Sequence, residues 1–154
     1  MKKHFYILAT PASGKTTFLK NNGKQHGNLI VYDLDKVKKE TSAQYRTYKA
    51  FEQLPENTAI LGGRTSGTIK YNPEKCIYVA VIIPEQELFR NVELRSKDKK
   101  AKKNKWRKKE NVIKAYNELK QFVEKENIPC FSSFQEAIDY INYTYYESSN
   151  STRS

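Results

Sequence analysis

Residues 5–22, FYILATPASGKTTFLKNN, decide how the rest of the chain is read. FYILAT is a compact apolar run rich in strand formers, PASG is turn-forming, and the residues from Lys15 onward are compatible with a helix. The order is strand, loop, helix. Working outward, LIVYD at 29–33 follows the break NNGKQHG, and a polar helical stretch from 36 to 54 is ended by Pro55. TAILGG at 58–63 and IYVAVIIP at 77–84 read as further strands, and 85–95 as a helix. Between 110 and 126, Val112, Ile113, Tyr116, Leu119, Phe122 and Val123 recur at helical spacing. IPCFSS at 128–133 is a short fifth strand, after which Ser133, with Glu136 three residues on, opens a helix as a capping pair. Five short strands alternating with helices predict an α/β chain: a five-stranded parallel sheet with helices on both faces, in one domain over 1–146 with a polar, flexible tail at 147–154.

Ala9 to Thr16, ATPASGKT, fits the phosphate-binding pattern G-x-x-x-x-G-K-[ST] with Ala in place of the first Gly. The pattern works because consecutive backbone N–H groups curl around a phosphate at a helix N-terminus, a Lys reaches the terminal phosphates, and a hydroxyl ligates Mg²⁺. The expected nucleotide-binding set is Ala12, Ser13, Gly14, Lys15, Thr16 and Thr17. In such sheets ligands bind at the carboxyl ends of the strands, and the loops after the first four strands all lie there.

Asp33 and Asp35 close the second strand as V-Y-D-L-D. Two residues apart in an extended segment, they share a face, which assigns Asp33 to Mg²⁺ and Asp35 to the acceptor, as the base that takes its proton. Alternatively, Asp35 caps the helix that begins near Lys36. Gly62-Gly63-Arg64 reads in two ways: glycines that let a ligand approach with Arg64 gripping an anion, or a plain turn with a surface Arg.

The chain carries a net charge of +11, and its placement is uneven. Residues 95–109, RSKDKKAKKNKWRKK, hold ten Lys or Arg against one Asp. The remainder is nearly neutral. This segment reads as a short basic lid, with Arg90, Arg95 and Arg107 clamping the transferred phosphoryl group, as a nucleic-acid contact, or as a solvated helical face. Trp106 inside it stacks on a base or pins the lid. Composition excludes collagen-like, disulfide-rich and wholly disordered chains. Cys76 and Cys130 form no metal or disulfide pattern and are read as filling the core of a protein in a reducing compartment. His4 and His26 show no partner pattern, and the tyrosines at 140, 143, 145 and 146 read as helix packing. The apolar runs are too short to span a bilayer, and the five-residue FYILA after Met1-Lys2-Lys3 is a poor signal peptide. The expected location is cytoplasmic, with no membrane partner.

Taken together, ATPASGKT, the D-x-D of Asp33 and Asp35, and Gly62-Gly63 resemble the small P-loop kinases, which include nucleoside monophosphate kinases, shikimate and gluconate kinases and the kinase domain of polynucleotide 5′-kinases. The resemblance spans about residues 4–142 as element order. It implies the three-layer P-loop kinase fold, with ATP as donor and Mg²⁺ as cofactor. From the shikimate kinase branch it implies a metal-associated Asp33, an acceptor-associated Asp35 and a substrate-facing Gly63. The Lys, Asn and Tyr richness and trimmed loops also resemble phage-encoded kinases acting on nucleotides or DNA ends. The expected activity is ATP-dependent phosphoryl transfer to a hydroxyl of a nucleotide or nucleic acid. The alternatives are a nucleoside monophosphate kinase, which needs no base at Asp35, and a nucleotide-dependent nucleic-acid-binding module with little phosphotransfer.

Overall fold

In the computed structural model, which describes residues 4–34, 54–62, 71, 73–74, 76–96 and 109–147, the first apolar run forms β1 (His4–Ala9). It lies between two parallel strands, β4 (Thr58–Gly62) and β5 (Cys76–Val81). A strand hydrogen-bonded on both sides and covered on both faces has no polar side, so Phe5 to Ala9 are all buried and the sequence shows a continuous apolar run instead of alternation. β3 (Leu29–Asp33) pairs in parallel with β4 beyond it, and β6 (Cys130–Phe131) pairs in parallel with β5 on the opposite flank.

The sheet has six strands rather than five. β2 (Gln25–His26) adds a short antiparallel pair to β3 through the Gly27 turn, giving the order β2-β3-β4-β1-β5-β6. A two-residue strand carries too little pattern to be read from NNGKQHG. Gly27 accounts for the tight reversal: its φ is 61°, and a Cβ there would press on the Asn142 side chain at 3.1 Å.

Four α-helices complete the described chain: α1 (Lys15–Asn22), α2 (Glu85–Ser96), α3 (Lys109–Glu126) and α4 (Phe134–Asn142), the last running into a π-helical turn at Tyr143–Glu147. On one face of the sheet, Phe5, Ile7, Leu29, Val31, Leu61, Val79 and Val81 form a core with Phe134, Ala137, Ile138 and Ile141 of α4, and Phe18 and Leu19 of α1 pack against it. On the other face, Tyr6, Leu8, Ile60, Tyr78 and Ala80 pack with Leu119 and Val123 of α3. Helices therefore flank both faces, as the alternation of elements required.

The ends of the helices follow their sequences. Ser133 Oγ accepts from the Glu136 N–H at 3.2 Å, while the Glu136 carboxylate turns back to Ser132, reaching its hydroxyl at 2.8 Å and its N–H at 3.2 Å. α3 ends at Asn127 in the left-handed region (φ 54°), and the Ile128 N–H returns to the Val123 carbonyl at 3.1 Å. Both Ile128 and Val123 are buried in the second core, which is the apolar contact that accompanies this kind of helix end.

Three expectations resolve differently. Cys76 is buried as expected, but Cys130 is exposed, because β6 is an edge strand. His4 and His26 have backbone partners, their Nε2 atoms lying 3.2 Å from the Leu54 carbonyl and 2.9 Å from the Gly23 carbonyl. Tyr145 and Tyr146 pack on Phe5 and Tyr140 on Phe131, whereas Tyr143 is 66% exposed and packs least. The helical stretch expected at 36–54 has only its last residue, Leu54, among the described residues, and the segment 97–108 and the tail from 148 lie outside them.

Gly62 closes β4 for a packing reason. A Cβ there would collide with the buried Tyr6 hydroxyl and meet Leu34 Cδ2 at 3.0 Å. Burial, aided by the neighbouring Tyr78 and Cys76, pushes the Tyr6 hydroxyl well above the ordinary tyrosine range, so it stays protonated. Gly62→Ala therefore forces the core of the second face apart. A destabilisation of about 1–3 kcal/mol is expected, read as a lower thermal unfolding midpoint. An unchanged midpoint would show that this contact is not tight.

Candidate functional site

The strand order places the site. From β1 the chain moves through α1 to β3 on one flank, returns through β4 beside β1, and then crosses to β5 on the other flank. The order reverses at β1, and a crevice outside the carboxyl ends of the strands opens at such a reversal. The loop leaving β1 there is Thr10–Gly14.

This loop is buried and bent. Thr10, Ala12 and Ser13 are all 5% exposed or less. Ala12 has φ 65° and Gly14 φ 88°, with Ser13 between them outside the positive-φ region. Positive φ on either side of Ser13 bends the chain sharply, as in backbone turns whose successive N–H groups form anion-binding concavities. Gly14 takes this conformation freely, whereas Ala12 has a Cβ and does so at a cost of about 1–2 kcal/mol. Ala9, at the position where the pattern has its first Gly, is the last residue of β1; it pairs with Val81, and its methyl belongs to the first core. An alanine suits that place because the turn begins after it.

The helix that follows begins without a cap. Gly14 is its N-cap residue, with no side-chain cap hydrogen bond among the described residues, and the first turn holds no acidic residue. α4, by contrast, is capped by Ser133 and has Glu136 in its first turn. The amino end of α1 thus retains unmet N–H groups and its partial positive charge. Lys15 is half-buried, and Thr16 and Thr17 are exposed at this end. Beside them, Ser13 Oγ is buried with no hydrogen-bond partner among the described residues. A buried hydroxyl left unpaired is costly. Thr58 Oγ1, at the amino end of β4, is also unpartnered but is remote from this edge.

Asp33 lies at the same edge of the sheet. Register sets it level with Leu61 of β4, which is level with Ile7 of β1, so two strand spacings, roughly 10 Å, separate Asp33 from β1. Leu29, Val31 and Asp33 alternate onto the face that α1 covers, and α1 packs against β3. Asp33 is 9% exposed. Leu34 is helical in backbone and buried in the second core, so the extended run that put Asp33 and Asp35 on one face stops before Asp35. Asp35, Gly63, Arg64, Trp106 and Arg107 lie outside the described residues. Arg90 is exposed on α2; Arg95 also falls in α2, with its side chain outside the described set.

One site residue carries no sequence signal. Asn91 of α2 donates from Nδ2 to the Ala12 carbonyl at 2.7 Å. An Asn within a polar helical stretch reads as a surface residue, and only the fold brings it to the loop, 79 residues away in sequence.

Among the described residues no three His, Cys, Asp or Glu side chains cluster to form a metal cage. A Mg²⁺ ion carried on phosphates needs only one or two protein ligands, and a hydroxyl and a carboxylate at one strand edge suit it. A separate groove of about 480 Å³, lined by His26, Gly27, Gln135, Ile138, Asp139, Asn142 and Tyr143, opens at the amino end of β3, away from this edge. No helix among the described residues is long and apolar enough to cross a membrane.

Ser13→Ala removes the unpaired hydroxyl and adds no volume. Ligand-free stability is expected to rise by up to about 1 kcal/mol, a gain of about 2–4 °C in unfolding midpoint. A fall of similar size would mean the hydroxyl is already bonded within the protein. Searches against protein-family models and against curated proteins find no match to this sequence.

Proposed function

We propose that the protein is an ATP-dependent phosphotransferase of the P-loop kinase type, acting on a hydroxyl of a nucleotide or nucleic acid. One observation carries this reading: the ATPASGKT stretch occupies a strand-to-helix turn with two positive-φ residues around a buried Ser13 hydroxyl that has no hydrogen-bond partner among the described residues. That is the context in which the pattern has its chemical meaning.

In this reading the amides of residues 13–17 and the Ser13 hydroxyl take the β- and γ-phosphate oxygens in place of the missing helix cap. Lys15 sets its ammonium against the charge that grows on the γ-phosphoryl group in transfer. Thr16 and Asp33 would hold Mg²⁺, which would supply positive charge to the phosphates during transfer. Asp35 orients the acceptor hydroxyl and takes its proton, which leaves the hydroxyl oxygen free to attack phosphorus in line with the departing ADP oxygen. Arg90, Arg95 and Arg107 supply guanidiniums to the transferring phosphoryl group, and the basic segment attracts a polyanionic acceptor.

The test is direct. The full chain is incubated with γ-labelled ATP and Mg²⁺ against nucleosides, nucleoside monophosphates, single- and double-stranded oligonucleotides and small alcohols. Label is expected on an oligonucleotide or nucleoside hydroxyl, and Lys15→Ala is expected to lower the rate at least a hundredfold, about 3 kcal/mol, with an unchanged unfolding profile. Label appearing only on nucleoside monophosphates would favour a phosphate acceptor. Near-parental turnover in Lys15→Ala would overturn the assignment of the loop.

A further inference from the structure

We propose that Asn91 is a positioning residue for the loop after β1: it holds Ala12 in its left-handed conformation and so keeps the amides that follow turned toward a phosphate. The inference rests on the nucleotide-binding reading of the loop.

Ala12 is the one residue of the loop whose backbone conformation opposes its own chemistry. A residue with a Cβ populates positive φ rarely, and nothing within Thr10–Gly14 removes that cost. Such a conformation persists only where the surroundings over-determine it. Two contacts do so here. The Ala12 side chain is buried at 2% exposure in the first core, and its carbonyl accepts from Asn91 Nδ2 at 2.7 Å. The carbonyl and the next N–H belong to one rigid peptide plane, so fixing the Ala12 carbonyl also fixes the direction of the Ser13 N–H.

Asn91 is itself held firmly. Leu88 and Val92 lie three residues before it and one after it on α2, and both are buried in the first core. At the start of this unit, the Tyr116 hydroxyl of α3 donates to the Ile83 carbonyl at 2.6 Å, which ties α3 to the β5–α2 connection. α2 is therefore a bracket fixed at two places, and Asn91 is its contact with the loop. The same helix carries Arg90 and leads into the basic segment.

The experiment measures binding of inorganic tripolyphosphate and of Mg·ATP to the full chain by calorimetry, with unfolding midpoints in parallel. Asn91→Ala is expected to weaken both ligands about tenfold, the effect of losing one well-placed hydrogen bond and the geometry it holds. The two losses should match, because only phosphate contacts change. Asn91→Leu, similar in size and unable to donate, gives the same loss and carries the test should the alanine variant not fold. Adding Ala12→Gly to Asn91→Ala should recover at least half of the loss on a logarithmic scale, since glycine adopts positive φ without support. Binding by Asn91→Ala within twofold of the parent, or no recovery with Ala12→Gly, would overturn the proposal and leave Asn91 as a mere dock for α2. Failure of the parent itself to bind either ligand would overturn the nucleotide reading on which the proposal rests.

Discussion

The burial of β1 between β4 and β5 is the constraint from which the rest follows. Both edges of β1 are hydrogen-bonded, and both of its faces are packed. Its carboxyl end is therefore a fixed point in the molecule, and the five residues that leave it must turn a strand into a helix within a closed space. The turn is made with positive φ at Ala12 and Gly14 and with a buried hydroxyl at Ser13. A flexible surface loop would relax all three features. Here the strand below, the core beside it and Asn91 of α2 hold them in place.

The site is also where the chain departs from local consistency. Elsewhere the rules agree: α4 has a Ser133 cap, α3 ends on Asn127 with an apolar clasp, and Gly62 stands where a Cβ has no room. At the loop after β1 there is an alanine in a conformation that suits glycine and, among the described residues, no side-chain cap for the helix and no partner for the Ser13 hydroxyl. Local violations that a fold maintains tend to mark function, because the missing partner arrives with the ligand. In the proposed reading, an anion is what the amino end of α1, the Ser13 hydroxyl and Lys15 would together receive.

Much of this was legible in the sequence, for physical reasons. β1 and β5 announce themselves because doubly buried strands must be apolar throughout, and α3 because one face of an amphipathic helix repeats every three to four residues. The turn after β1 was legible because Pro11 and Gly14 interrupt an apolar run just before helix-compatible residues. β2 was not, since two residues carry no period and the strand exists only through the Gly27 turn and its pairing with β3. Cys130 was misread because a short apolar run does not reveal that its strand lies at an edge. The pairing of Asp33 with Asp35 assumed that the strand continues, and the helical backbone at Leu34 ends it. Asn91 was invisible for a different reason: its role depends on a contact 79 residues distant, which no local pattern encodes.

The central claim is that a phosphate group rests on the amides at the start of α1. It is tested most directly by following backbone amide resonances of the isotopically labelled full chain as Mg·ADP is added. The account predicts that the largest shifts fall on residues 13–17, with the Asn91 side-chain amide responding alongside them. Shifts centred on the groove at His26 and Asp139, or no shifts at millimolar nucleotide, would contradict it.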